Sequence, residues 1–157
     1  MPRRPAFASR HRQASPRAKV QRRMLLPMPR EEIQALSLQY HAALEALRMK
    51  RGSPHGLRIL LQVIILVGFV DEARRHEIRV EVLDAAEQGV NAAFARGEKE
   101  GEWWLDTQTD ELIASLLAWH DDQLRTAPLT VWSEAIERME RLRDGKSYER
   151  PPAKSRR

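Results

Sequence analysis

The residues of this 157-residue chain best placed to do chemistry are His120, Asp121 and Asp122, consecutive on a stretch with helical periodicity. An imidazole nitrogen beside carboxylates can ligate a divalent cation, which would then activate water. Such a site needs further ligands converging on the pair, and His41, His76 and Asp144 are the candidates. Nothing in their spacing singles them out. The competing reading is the solvated polar end of a helix, although two aspartates there oppose the dipole. That reading is preferred, so no metal ligand is assigned. Glu98, Glu100 and Glu102 alternate in a glycine-bounded stretch, which fits a solvated acidic rim better than a calcium loop.

An adjacent His-Asp pair on a helix resembles the signature of the HD phosphohydrolases, which are also helical. The resemblance implies a metal-dependent phosphohydrolase as a distant alternative. The chain has no Gly-rich phosphate loop, no G-x-S-x-G elbow, no H-E-x-x-H and no cysteine nucleophile. The expectation is a protein that is not an enzyme, with no catalytic residue and no cofactor. Trp103 and Trp104 are the partner-binding candidates. Adjacent residues of an ordinary loop cannot both point into one core, and large aromatics concentrate at interface hot spots. The alternative is that both cap the bundle, one over the third helix and one over the fourth. Trp119 and Trp132 lie in phase with apolar faces and are expected in the core.

Charge is unevenly divided. Residues 1–30 carry nine Lys or Arg and no acid, residues 146–157 carry five basic residues and Glu149, and residues 31–145 carry 13 basic and 21 acidic residues. The net charge of +5 therefore resides in the two ends. An acidic body repels phosphate, whereas basic ends attract it. Without cysteine there are neither disulfides nor thiolate metal sites. No apolar stretch near the start resembles a secretory signal, and a cytoplasmic protein is expected.

These residues must be positioned by a helical framework. Its centre is Leu57 to Val70, LRILLQVIILVGFV, with eleven apolar residues among fourteen. A bilayer needs ~20 residues, so a buried central helix is expected and no membrane partner. The β-branched cluster Val63, Ile64, Ile65 would also suit a buried strand, but Ser53 and Pro54 supply an N-cap and N1 that favour helix. Before it, Ile33, Leu36, Tyr40, Leu44 and Leu47 form one face of a first helix, with Pro29 at N1 and Gly52 at the left-handed stop. A third helix covers about 77–96, with Ile78, Val82, Ala86, Val90, Ala93 and Phe94 in phase and Gly97 ending it. A fourth begins near Thr107–Asp110 and carries Leu112, Ile113, Leu116, Leu117 and Trp119. The short turn from Thr126 to Leu129 implies an antiparallel fifth helix, with Trp132, Ala135, Ile136, Met139 and Leu142 on one side. The fold class is all-α, a compact bundle of about five helices around a buried central helix.

Three parts follow: residues 1–23 as a disordered basic tail, 24–145 as the helical domain, and 146–157 as a basic C-terminal tail. The first tail reads as a nucleic-acid arm, as a transit peptide, or as an extension upstream of a start at Met24. Nucleic acid would be met by Arg138, Arg141, Arg143 and Lys146 at the end of the fifth helix, or by the tails. A helix-turn-helix is not expected, because Asp121, Asp122 and Glu134 flank the turn where phosphate would lie.

The stretches WHDDQLRTAPL at 119–129 and MLLPMPREEIQALSLQYHAALEAL at 24–47 resemble small helical proteins of proteobacteria and their mobile elements, often labelled Fis family transcriptional regulators. The resemblance implies a small bacterial regulator, while a Fis-type basic helix-turn-helix is missing from helix five. The function expected is a non-enzymatic regulatory or protein-interaction module that binds a protein partner or its own copy. The alternative is a transcriptional regulator touching DNA through its basic ends.

Overall fold

The computed structural model describes residues 15–74 and 77–146, and these form six helices. They are α1 (Pro16–Met24), α2 (Arg30–Arg48), α3 (Pro54–Arg74), α4 (Val80–Glu100), α5 (Thr107–Thr126) and α6 (Leu129–Arg143). The fold class is the all-α bundle that periodicity predicts, and α3 is its centre. Helices α2, α4, α5 and α6 all pack on it.

Helix α3 begins where the capping pair places it, with the Ser53 hydroxyl accepting from the Gly56 amide at 3.1 Å. Leu57, Leu60, Val67 and Val70 are fully buried, and Val63 and Ile64 nearly so. Burying one such side chain stabilises by ~1.5–3 kcal/mol, against a helix-propensity cost of at most ~0.7 kcal/mol for a β-branched residue. Burial wins, and the strand alternative falls. At the far end the buried Asp71 carboxylate accepts from the amides of Glu77 (3.3 Å) and Ile78 (3.0 Å), tying α3 to the approach of α4.

The core has two lobes. Ala43, Leu44 and Leu47 of α2 meet Leu57 to Val67, Ala86, Val90 and Ala93 of α4, and Ile113, Leu116 and Leu117 of α5. A second lobe joins Leu66 and Val70 to Leu124, Ala127, Trp132 and Ala135. Arg48 links the end of α2 to the start of α5 through a two-pronged bond to Asp110, at 2.7 and 2.8 Å.

Several boundaries differ from expectation. Pro16–Met24 is helical rather than disordered, because Ser15 caps it by accepting from the Ala18 amide and Pro16 pre-sets the first turn. None of its side chains is buried. It is tethered where Leu129 N–H donates to Leu26 C=O (2.9 Å) and Pro27 bridges to Pro128. The expectations for residues 1–14 and for 147–157 lie outside the described residues, as does His76. Pro29 is the N-cap of α2 rather than its N1 residue. The left-handed stop after α2 is Lys50 (φ 55°), not Gly52. Gly52 is required for another reason: a Cβ there would collide with Leu47 and lie 2.5 Å from the Trp103 carbonyl oxygen.

Helix α4 runs past Gly97 to Glu100 and ends at the left-handed Gly101. Gly97 is buried under the Trp103 ring, where any Cβ would collide. The N-cap of α5 is Asp106, which accepts from the Thr109 amide (2.8 Å) and hydroxyl (3.0 Å), so Thr109 is the bonded partner rather than the cap. Across the short connection after α5, Trp132 of α6 meets His120 and Leu124 of α5. Helix α6 also packs on α3.

Candidate functional site

Two helices, α4 and α6, pack on α3 without packing on each other. Between them a strip of α3 floors an open groove of about 350 Å³. Ile65, Gly68 and Phe69 come from its floor, Ile78 and Leu83 from the α4 side and Leu142 from α6. Gly68 keeps the floor low, since a Cβ there would lie 3.0 Å from Leu83 Cδ1. At the rim, Val80 is 64% exposed and Leu142 52%, unusual for residues on apolar helix faces. A second hollow of about 200 Å³, which shares Ile65 and Leu142, continues the groove toward Gln62, Met139 and Arg143.

The larger hollow is lined by four carboxylates, Asp71, Glu72, Asp84 and Glu87, and by no Lys or Arg among the described residues. Two of these have structural duties. Asp71 holds the amides of Glu77 and Ile78. Glu72 pairs with Arg138 at 2.7 Å, and that guanidinium also lies 4.0 Å over the Phe69 ring. Asp84 and Glu87 are exposed, one turn apart on α4, with no ion pair or hydrogen bond among the described residues. An apolar floor with an unneutralised acidic edge suits a ligand that is apolar on one side and cationic on its flanks.

The His-Asp pair does not converge. His120 is 1% exposed, buried rather than solvated as expected, and its ring sits between Tyr40 (centroids 5.0 Å) and Trp132 (5.4 Å), edge to face with both. Neither ring nitrogen has a hydrogen-bond partner among the described residues. Burial pushes its pKa down to about 4, against the opposing influence of Gln123 and Asp121, with His41 adding to the fall. The Gln123 amide nitrogen donates to Val67 C=O at 3.0 Å, and its side-chain oxygen is, like the imidazole nitrogens, buried without a partner among the described residues. The neighbouring residue turns outward: Asp121 accepts from the Ser37 hydroxyl at 2.7 Å and lies 2.9 Å from His41 Nε2. Here the carboxylate stands between hydroxyl and imidazole, so the serine is not aimed at a base and is not an activated nucleophile. No group of three His, Cys, Asp or Glu among the described residues could hold a metal ion, and no described helix is long and apolar enough to cross a membrane.

The tryptophan pair divides as one half of the capping alternative requires. Trp103 lies over α4, on Gly97 and edge to face with Phe94 at 6.0 Å. Trp104 is clamped by Arg96, which lies 3.7 Å over its ring and donates to its carbonyl at 2.7 Å. It borders α2 through Leu47 and Arg48 and does not cap α5 alone. Trp132 is core, but Trp119 is 36% exposed, because the buried face of α5 runs through Ile113, Leu117, His120 and Leu124. Of the nucleic-acid candidates, Arg138 turns into the body against Glu72, Arg141 lies 3.7 Å from Glu137, Arg143 lies 3.8 Å from Asp144, and Lys146 is exposed. Each arginine has a carboxylate beside it, and the set does not share one free face. Glu98, Glu100 and Glu102 are exposed.

Asp84, Glu87 and Leu83 carry no motif that marks them as site residues in the sequence. The available signal was that α3 is apolar nearly all round, which demands more cover than its neighbours supply. Comparison with family models, curated proteins and solved structures finds no match.

Proposed function

We propose that this chain is a non-enzymatic protein-interaction module of regulatory type. Its α3–α4–α6 groove receives an amphipathic helix carrying Leu- or Val-like residues on one side and Lys or Arg on the flanks. The observation that supports this reading is the pairing of an apolar floor with Asp84 and Glu87, two carboxylates without partners among the described residues. Helix-in-groove recognition uses that division of labour: apolar area gives affinity, and charge at the rim selects the partner and its direction.

The test is titration of the full chain into a fluorescent, idealised Leu/Lys helical peptide and into its Leu/Glu counterpart. The expected result is saturable binding of the basic peptide alone, weakened at least tenfold by Asp84→Lys with Glu87→Lys and by raised salt. Equal affinity for both peptides, or none for either, overturns the reading.

A further inference from the structure

We infer that the occupant of the groove is helix α1 of a second copy of this chain. The inference rests on the groove reading above and names its partner. Helix α1 carries Arg17, Lys19, Arg22 and Arg23, has no acidic residue in its first turn and buries none of its side chains. Ala18 and Met24 are half-buried, but Val20 is 62% exposed, and Leu25 and Leu26, just beyond the end of the helix, are 68% and 59% exposed. None of the four cations has an ion pair among the described residues. A nine-residue helix is marginal in water by itself, so α1 gains from any surface that covers it.

The groove offers the complement. Lys19 stands one turn from Arg22 and Arg23, and Asp84 stands one turn from Glu87, so the two charge rows have a common pitch. Ile65, Leu83 and Leu142 supply apolar area for Val20 and the leucines that follow it. The helix does not serve its own groove. It touches α6 but neither α3 nor α4, and the Leu26–Leu129 and Pro27–Pro128 links hold it there. Two copies related by a twofold axis can each donate α1 and each receive one, which closes the assembly at a dimer.

Light scattering of the full chain over a concentration series tests this. The expected mass rises from 18.2 kDa toward twice that value. Asp84→Lys with Glu87→Lys, and separately Arg22→Glu with Arg23→Glu, each weaken the dimer at least tenfold. All four positions are exposed, so folding survives, and combining the four substitutions in one chain restores the dimer because the two charge rows have exchanged sign. A dimer indifferent to both pairs overturns the inference. A chain that stays monomeric yet binds the basic peptide overturns it too, while leaving the groove reading intact. A monomer that binds no peptide removes both. Loss of duplex-DNA binding in Arg22→Glu with Arg23→Glu, with no change in mass, assigns α1 to nucleic acid and also overturns the inference.

Discussion

Lowering the pH should destabilise this protein through one identifiable side chain. His120 is packed between Tyr40 and Trp132 with both ring nitrogens unsatisfied, and its pKa is pushed down from 6.5 to about 4. The folded chain therefore keeps the imidazole neutral under conditions in which the unfolded chain protonates it. The unfolded state binds more protons, so stability falls as pH drops below about 6.5 and stops falling on this account near 4. Each pKa unit is worth about 1.4 kcal/mol, so moving from pH 7.5 to pH 5 removes about 2 kcal/mol, and full protonation removes about 3 kcal/mol. The assay is urea unfolding at both pH values for the wild type and for His120→Phe, which retains a ring for Tyr40 and Trp132 to pack against. The remaining ionisable groups are common to both proteins and cancel in the difference. The expected outcome is that the wild type loses about 2 kcal/mol more than the variant. Equal losses would refute the reasoning, as would a native-state histidine titration that places His120 near its ordinary value.

Two further outcomes follow from the α4–α5 corner. Gly97→Ala puts a Cβ into the Trp103 ring; with the ring forced off, stability should fall by about 1–3 kcal/mol, with a red shift in tryptophan emission as the control that the ring has moved. Asp106→Ala removes the side-chain cap of α5 and should cost about 1 kcal/mol by urea unfolding near neutral pH. The Thr109 amide holds the Asp106 carboxyl below its usual range, so this contribution is present above the ordinary carboxylate pKa and is lost as pH falls through the depressed one. The difference between wild type and Asp106→Ala should therefore narrow in acid.

Much of the framework is legible in the residues themselves. Ser53 with Pro54, the spacing of Ile33 to Leu47, and the length of the apolar run at 57–70 are local signals, and each produces the helix it implies. Glycines were less readable. A stop signal and a close-packing site call for the same residue, and only the Trp103 ring shows that Gly97 belongs to the second kind. On α5, Trp119 and His120 differ by one position and hence by about 100° around the helix. Periodicity alone admits either at the edge of the apolar face. The packing of Tyr40 and Trp132 selects His120, which leaves Trp119 outside.

What the sequence determined by itself is an all-α chain with one helix too apolar to face water, an acidic body and basic ends, because helix periodicity, capping and charge are properties of short stretches. Only the tertiary structure decided how completely α3 is covered. That depends on α4 and α6 each packing on α3 and leaving a gap between them, a relation among residues far apart in the chain. Other long-range contacts send His120 inward, against Tyr40 and Trp132, and Asp121 outward, to Ser37 and His41, while the gap sets Asp84 and Glu87 beside an apolar floor supplied by another helix.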